Sequence, residues 1–274
     1  MAAISDPAAF AIMASRGFWK PFPHLLLIAE KLQQIQHKKC RRLICMLPPR
    51  HGKSEFISKY FPAWYLLRNP EKRVILASYE ADFASSWGRK ARELVEEYGP
   101  QFNIHLRQDS HAANRWDLKG HNGGMQTAGV RGPLTGKGGD VLILDDPVKS
   151  DEEANSEVYR EKTWDWFLAT FSTRLHKGGT IIVIQTRWNE DDLTGRILKA
   201  QKTGGDKWDV LNLPAIAEKR EDFGFLKRKV GDPLCTDLIP HKMLTEIQGR
   251  LGDYWWNALY QQRPFPRGGG IFKR

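Results

Sequence analysis

The chain has 274 residues and a formal net charge of +10, a balance that favours a polyanionic partner such as DNA or RNA. Its three cysteines, Cys40, Cys45 and Cys235, have no paired spacing, which argues against a disulfide framework or a structural zinc site. No run approaches the ~18 apolar residues of a membrane span, and the N-terminus lacks the basic-then-apolar order of a signal peptide. We therefore expect no membrane segment and a cytosolic protein.

Apolar periodicity predicts strands and helices that alternate along the chain. The predicted strands cover residues 43–47, 74–78, 123–128, 141–144, 180–184 and 210–213. The predicted helices cover residues 7–15, 24–35, 54–61, 81–98, 156–171 and 191–199. Residues 99–122 are mixed and polar, and residues 218–233 indicate a loop or small lid. The alternation predicts an α/β fold with a mostly parallel sheet and helices on both faces.

A phosphate-binding turn is predicted between the first strand and the helix after it. Residues 48–55 have the sequence PPRHGKSE, in which the prolines end the strand and Gly-Lys-Ser opens a helix, where anions bind. The strict pattern G-x-x-x-x-G-K-[ST] would place a glycine where the chain has Leu47. We expect Lys53 to reach the β- and γ-phosphates of ATP, Ser54 to bind Mg²⁺ and Arg50 to add a second cation. A proline-rich surface turn with a solvated lysine is the alternative.

The loop as a whole is expected to surround the phosphates, as in a P-loop NTPase. The expected nucleotide contacts are Pro49, Arg50, His51, Gly52, Lys53, Ser54 and Glu55. Within this set, the side chain of His51 is expected to face solvent rather than phosphate.

Two carboxylates follow the predicted strand 141–144. Buried parallel strands place ligands at their carboxyl ends, which is where Asp145 and Asp146 fall. We expect Asp145 to point at the Mg²⁺ shell and Asp146 to orient or deprotonate the attacking water. Taken alone, Asp145, Asp146 and Pro147 favour a strand cap that starts a turn, since Asp and Pro are ordinary turn residues. Together with the phosphate-binding turn, the two carboxylates predict ATP and Mg²⁺ as the cofactors.

Further candidates lie at the ends of other strands. Thr186 and Arg187 follow the predicted strand 180–184, so Thr186 is placed to contact the γ-phosphate and report hydrolysis to the rest of the domain. The glycine-rich loop before the carboxylate strand contains Arg131 and Lys137, either of which is a candidate cation supplied to a neighbour's γ-phosphate. The alternatives are a polar strand cap for Thr186 and solvated loop charges for the two cations.

These motifs in combination resemble the large terminase subunit of tailed bacteriophages. The segments that carry the resemblance are PPRHGKSE at 48–55, ASY at 77–79, LTGKGGD at 134–140, DDP at 145–147, QTRW at 185–188 and YQQRP at 260–264. The resemblance implies an ATP-driven motor that packages viral double-stranded DNA into a procapsid in the host cytoplasm. It also implies a ring on the portal protein, with the small terminase subunit choosing the DNA.

The resemblance assigns roles to individual residues. Lys53 and Ser54 match the Walker A lysine and magnesium ligand, and Asp145 matches the Walker B magnesium carboxylate. Asp146 stands where the family commonly has a catalytic glutamate, and Thr186 matches the coupling-motif residue. The loop that carries the trans-acting arginine in the family has Lys137 at the matching place, with Arg131 a few residues upstream.

The resemblance also implies a domain organisation. We expect an ATPase domain over residues 1–260, with a core at 20–215 and a lid at 216–260, and a linker at 261–274 toward a nuclease domain that this chain lacks. Two other functions remain open from the residues: a helicase-like nucleic-acid translocase, and an assembly scaffold that binds ATP without hydrolysing it. Strand separation would distinguish the translocase, and binding without hydrolysis would distinguish the scaffold.

Overall fold

The structure is a computed structural model that describes residues 5–134, 136 and 138–266. Its strands are β1 (Arg42–Met46), β2 (Arg73–Ser78), β3 (Leu106–Ala112), β4 (Arg115–Leu118), β5 (Gly124–Gly129), β6 (Gly139–Asp145), β7 (Leu175–Gln185), β8 (Asp209–Asn212), β9 (Glu221–Asp222) and β10 (Lys227–Arg228). Its α-helices are α1 (Pro7–Ala14), α2 (Pro23–Gln36), α3 (Phe61–Arg68), α4 (Ala81–Tyr98), α5 (Asp151–Asn155), α6 (Glu157–Trp166), α7 (Leu193–Lys202) and α8 (His241–Trp255). Wider π-helical turns occur at Glu55–Tyr60, Phe167–Phe171 and Trp256–Tyr260.

The main sheet has eight strands in the order β3-β4-β5-β2-β6-β7-β1-β8. The strands from β5 to β8 in this order pair in parallel, while β3 and β4 are antiparallel. The predicted α/β fold with a mostly parallel sheet is therefore confirmed. The central strands are apolar throughout because both faces of a parallel sheet are covered, and β2 is buried at every position.

Alternate residues of each central strand enter two different apolar cores. On one face, Leu43 and Ile143 pack with residues of α1 to α4. On the other face, Ile44 and Leu142 pack with Trp166 and its neighbours from α6 and α7. This alternation follows from the two-residue period of a strand, and it places helices on both faces as the sequence predicts.

Residues 99–122, which the sequence left without an assignment, contain the antiparallel strands β3 and β4. The side chains of β3 are mostly exposed, so this edge strand lacks the apolar pattern by which a strand is recognised. The hairpin is joined to the sheet by a buried ion pair between Arg73 and Asp117, 2.7 Å apart. The indole Nε1 of Trp116 also donates to the carbonyl oxygen of Gly88 at 3.0 Å.

Residues 213–262 follow β8 and contain the hairpin β9–β10 and the helix α8, and Leu213, Leu226 and Leu234 of this range pack in the main core. A separate apolar cluster consists of Ala215, Ile239, Leu244, Ile247 and Trp256. Helix α8 was not assigned from the sequence, and it occupies the range expected for a lid. Part of the expected linker, residues 267–274, lies outside the described residues. No helix in the described ranges combines the length and the apolar character that a bilayer crossing requires.

Candidate nucleotide site

The three candidate motifs meet because their strands are neighbours. The strands β6, β7 and β1 are adjacent and parallel, so their carboxyl ends lie along one edge of the sheet. The phosphate-binding turn follows β1, the two carboxylates end β6, and Thr186 follows β7. The edge of an open parallel sheet outside the strand carboxyl ends is the usual place for a ligand.

The turn after β1 has the backbone that a phosphate loop needs, although it lacks the first glycine. Leu47 is fully buried and continues the strand into the core, which explains an apolar residue at that position. Arg50 and Gly52 have φ values of 63° and 80°, so the chain reverses through left-handed conformations. The helical segment then begins at Lys53, and its first backbone N–H groups face the loop.

His51 was expected to face solvent, and this expectation is wrong. Its side chain is 1% exposed and packs behind the loop against His24 of α2. A ring nitrogen, Nδ1, donates to the carbonyl oxygen of Pro49 at 2.9 Å, while Nε2 of His24 donates to the carbonyl oxygen of His51 at 2.9 Å. Burial is the main cause that lowers the pKa of both histidines to about 4. Two neutral histidines therefore fix the shape of the loop from inside.

Asp145 is completely buried at the end of β6. Its two carboxylate oxygens accept hydrogen bonds from the hydroxyl groups of Ser54 at 2.8 Å and Ser58 at 2.7 Å. Burial, followed by the nearby charge of Asp146, raises the pKa of Asp145 to about 7. Hard oxygen donors of this type are the ligands that Mg²⁺ prefers, so Ser54 and Asp145 fit a magnesium ion. Ser58 was missed by sequence reasoning, although its spacing of four from Ser54 places both on one helix face.

Asp146 has a different environment from its neighbour. Its backbone is left-handed, with φ at 43°, and its N–H donates to the carbonyl oxygen of Ile184 at 2.8 Å. One carboxylate oxygen accepts from the backbone N–H of Thr186 at 2.7 Å, and the other lies 3.2 Å from Nζ of Lys53. Its side chain is 26% exposed, so Asp146 is accessible to water whereas Asp145 is not.

Lys53 connects the three motifs. Its ammonium group donates to Oγ1 of Thr186 at 2.7 Å in addition to its ion pair with Asp146. The hydroxyl of Thr186 in turn donates to the carbonyl oxygen of Leu47 at 3.3 Å. The side chain of Lys53 is nearly buried, so these contacts are little weakened by solvent.

The two candidate trans-acting cations are not part of this cluster. Arg131 follows β5, which is separated from β6 by β2, and its exposed guanidinium stacks 3.9 Å from the ring centroid of Tyr159. Lys137 lies outside the described residues. Arg131 is thus at the same edge of the sheet as the cluster without contacting it.

A cleft of 800 Å³ opens above the cluster. Its floor includes Lys53, Ser54, Asp146 and Thr186, together with the expected loop residues Pro49, Arg50, Gly52 and Glu55. Its walls contain aromatic side chains that sequence reasoning did not select, namely Phe18, Trp19, Phe22, Tyr79, Phe83, Trp87 and Trp188. The space suffices for a nucleotide-sized ligand with its charged end at the loop.

Behind the cleft, residues near the C-terminus contact the end of β7. The backbone N–H of Arg187 donates to Oε1 of Gln262 at 3.0 Å. The guanidinium of Arg187 is buried and donates to Asp192 at 2.6 Å. Gln262 belongs to the segment YQQRP that carried part of the resemblance, but no motif logic connected it with the site.

The sheet order, the Gly-Lys-Ser turn after β1 and the carboxylates at the end of β6 define the P-loop class of α/β proteins. Within that class the chain belongs to the family described as terminase large subunit, T4likevirus-type, N-terminal, whose model matches residues 44–251. No curated protein sequence matches the chain.

Solved structures show the same fold. The large terminase of bacteriophage HK97 is 18% identical with a TM-score of 0.54, over 89% of this chain and 50% of that one. The ATPase domain of the large terminase of Thermus phage P74-26 is 16% identical with a TM-score of 0.57, over 95% of this chain and 99% of that one. The chain therefore spans about half the length of the HK97 protein.

Proposed function

We propose that this chain is the ATP-hydrolysing motor domain of a viral DNA-packaging terminase, which drives double-stranded DNA into a procapsid. The observation that carries the proposal is the cluster of Lys53, Ser54, Asp145, Asp146 and Thr186 at one edge of the sheet. Membership of the terminase large subunit family supports the same conclusion. The net charge of +10 suits a polyanionic partner.

The residues of the cluster divide the work of phosphoryl transfer to water. Ser54 and Asp145 would hold Mg²⁺, which neutralises charge on the β- and γ-phosphates when it is bound. Lys53 supplies a positive charge to the same phosphates, and the N–H groups at the helix start add hydrogen bonds. Asp145 must be ionised to act as a metal ligand, and the hydroxyl donors of Ser54 and Ser58 favour its charged form.

Asp146 is the better of the two carboxylates for the role of general base. A base must reach a water molecule by hydrogen bonding, and only Asp146 is accessible from the cleft. Its second oxygen is held by the N–H of Thr186, so the carboxylate has a defined orientation. Thr186 contacts both Lys53 and Asp146, so a change in the position of either residue on nucleotide binding or hydrolysis would alter the contacts of Thr186.

The proposal extends to partners that complete the site. The exposed Arg131, or else Lys137, would act on the γ-phosphate of a neighbouring subunit in a ring, since the guanidinium of Arg131 stacks on Tyr159 and not on its own cluster. The ring would dock on the portal protein of the procapsid in the host cytoplasm, and the small terminase subunit would select the DNA.

The test is ATP hydrolysis per subunit, measured against protein concentration with and without duplex DNA. A rate that rises with concentration and with DNA, and that is lost in Lys53→Ala and Asp146→Asn, supports a motor completed by a neighbour. ATP binding without turnover under all conditions supports the scaffold instead. Strand separation of a forked duplex supports a helicase-like translocase, which a packaging motor does not require.

A further inference from the structure

The backbone after β7 is held from two sides. The N–H of Thr186 donates to the Asp146 carboxylate at 2.7 Å, and the next N–H, of Arg187, donates to the side chain of Gln262 at 3.0 Å. Successive residues of an extended segment point in opposite directions, so one N–H faces the site and the next faces the C-terminal segment. Any shift of this short backbone therefore acts on both partners.

The side chain of Gln262 is buried and held by hydrogen bonds. Its side chain is 2% exposed, and its amide group donates to the carbonyl oxygen of Leu259. Its φ is 54°, the left-handed conformation that commonly follows a helix end, here that of the turn Trp256–Tyr260. Burial and the hydrogen bond to Leu259 hold the side chain in the orientation in which Oε1 accepts from the N–H of Arg187.

The residues just before Gln262 are bonded to the base of the hairpin β9–β10. The carbonyl oxygen of Tyr260 accepts from the N–H of Ala215 at 2.7 Å. The side chain of Gln261 accepts from the N–H of Ile216 and donates to its carbonyl oxygen, both at 3.0 Å. Ala217 continues the path, because its N–H donates to the carbonyl oxygen of Asp232 beyond the hairpin at 2.9 Å.

We propose that Gln262 is a positioning residue that transmits the nucleotide state of the site to residues 215–217 and the hairpin β9–β10. The inference rests on the proposed function, since it requires a nucleotide in the cleft. Phosphate oxygens compete for the ammonium of Lys53, which otherwise contacts Thr186 and Asp146. The peptide after Thr186 then shifts, and the shift reaches Gln262 through the N–H of Arg187.

The anchoring of Arg187 makes this path stiff. Its guanidinium donates to Asp192 at 2.6 Å and to the carbonyl oxygens of Asn189 and Glu190, both at 3.3 Å. Because of these contacts, the backbone at the end of β7 is expected to move together with residues 189–192, so a displacement at Thr186 also moves the N–H of Arg187. A purely structural Gln262 would only satisfy the buried N–H of Arg187, and its loss would change stability without changing any response to nucleotide.

The experiment measures amide hydrogen exchange of the whole chain with and without Mg²⁺ and a non-hydrolysable ATP analogue. In the parent we expect the analogue to change exchange by about threefold or more at residues 186–187 and at 215–217. Gln262→Leu should bind the analogue with an affinity within about twofold of the parent and keep the change at 186–187. It should lose the change at 215–217.

Two further variants make the result specific. Gln262→Glu keeps a carboxylate oxygen as acceptor for the N–H of Arg187, so it should retain the response at 215–217. The matched control is Gln201→Leu, because Gln201 also accepts from a backbone N–H, that of Trp208 at 2.8 Å, but lies away from the cleft. This control should respond as the parent does.

The inference is overturned if Gln262→Leu keeps the response at 215–217, or if the parent binds the analogue without any response there. If Gln262→Leu does not fold, the Gln262→Glu variant decides, since loss of its response at 215–217 contradicts a role carried by the acceptor oxygen. Failure of the parent to bind the analogue would overturn the proposed function itself. If the parent hydrolyses ATP and Gln262→Leu shows the same change in exchange at 215–217 as the parent, only the inference about Gln262 fails and the proposed function stands.

Discussion

The ammonium nitrogen of Lys53 lies 3.2 Å from a carboxylate oxygen of Asp146, although the two residues are far apart in the chain. The same nitrogen donates to Oγ1 of Thr186, whose backbone N–H donates to the second oxygen of Asp146. Three residues that lie beyond the carboxyl ends of three neighbouring strands thus form a closed set of contacts. The cation that should bind phosphate and the carboxylate that should activate water are therefore in direct contact.

Replacing Lys53 by alanine should lower kcat/KM for ATP by about 10²- to 10³-fold, because it removes a preorganised charge from a nearly buried position. The measurement is phosphate release at several ATP concentrations. The control is Lys59→Ala, since Lys59 lies on the same helical segment and pairs with Glu55 at 3.5 Å near the surface. Equal effects of the two substitutions would contradict the role of Lys53.

Replacing Asp146 by asparagine should lower kcat by about 10²- to 10⁴-fold, the usual contribution of a general base. Asparagine retains an oxygen that can accept from the N–H of Thr186, so the fold and ATP binding should be preserved. Single-turnover hydrolysis and nucleotide binding would be measured side by side. Asp165→Asn, at an exposed position of α6, is the control, and turnover surviving in Asp146→Asn would remove the assignment of the base.

Replacing Ser58 by alanine should destabilise the protein most at high pH. The pKa of Asp145 is raised to about 7, so the folded state binds more protons than the unfolded state between about pH 4 and 7. Ionisation of Asp145 therefore lowers the free energy of unfolding as the pH rises through that window. The destabilisation has its full value above about pH 7. Ser58 donates to the ionised form, so its loss should cost about 1–3 kcal/mol at about pH 8 and less at about pH 5.

Urea unfolding of the Ser58→Ala variant at the two pH values tests this expectation. The control is Ser86→Ala, because the Ser86 hydroxyl donates to the neutral carbonyl oxygen of Phe83 at 2.7 Å instead of to a carboxylate. A cost that is independent of pH, as expected for the control, would show that Ser58 does not stabilise the charge of Asp145.

The buried pair of His24 and His51 should make the protein less stable in acid. The pKa of each is lowered from 6.5 to about 4, chiefly by burial, so the unfolded chain binds more protons between these values. The contribution of the two neutral histidines to the free energy of unfolding has its full value above about pH 6.5. It falls as the pH decreases toward 4, by up to about 3 kcal/mol for each histidine.

His24→Gln isolates one half of this effect. Glutamine has an amide donor for the carbonyl oxygen of His51 but takes up no proton, so the pH dependence should fall by about half while ATP binding is kept. The comparison variant is His37→Gln, at an exposed position after α2, and the measurement is urea unfolding from about pH 7 to 4. An unchanged slope in His24→Gln would contradict a neutral buried pair.

Much of the site was predictable from the sequence because its residues stand next to strong local patterns. The apolar strands β1, β6 and β7 are recognisable without any neighbour. Lys53 lies in the turn after β1, Asp145 is the last residue of β6, and Thr186 directly follows β7. Parallel strands bring their carboxyl ends together by topology, so three separate motifs could be expected to meet at one edge. The family resemblance rested on the same segments.

Other features depend on contacts between residues distant in the chain. The polar edge strand β3 exists because β4 pairs with it and a buried Arg73–Asp117 ion pair ties the hairpin to the sheet. His51 is buried only because α2 brings His24 behind the loop. No local sequence pattern predicts either arrangement, because each depends on contacts between segments that are distant in the chain.

The sequence by itself determined the alternation of the core strands β1, β2, β6 and β7 with helices, the phosphate-binding turn at Lys53 and the carboxylates at the end of β6, because short-range patterns encode them. Only the tertiary structure decided that Asp145 is buried while Asp146 is accessible, and that Gln262 contacts the end of β7. Adjacent carboxylates are alike in sequence. They differ in the fold because the backbone turns left-handed at Asp146 and directs one side chain into the core and the next into the cleft.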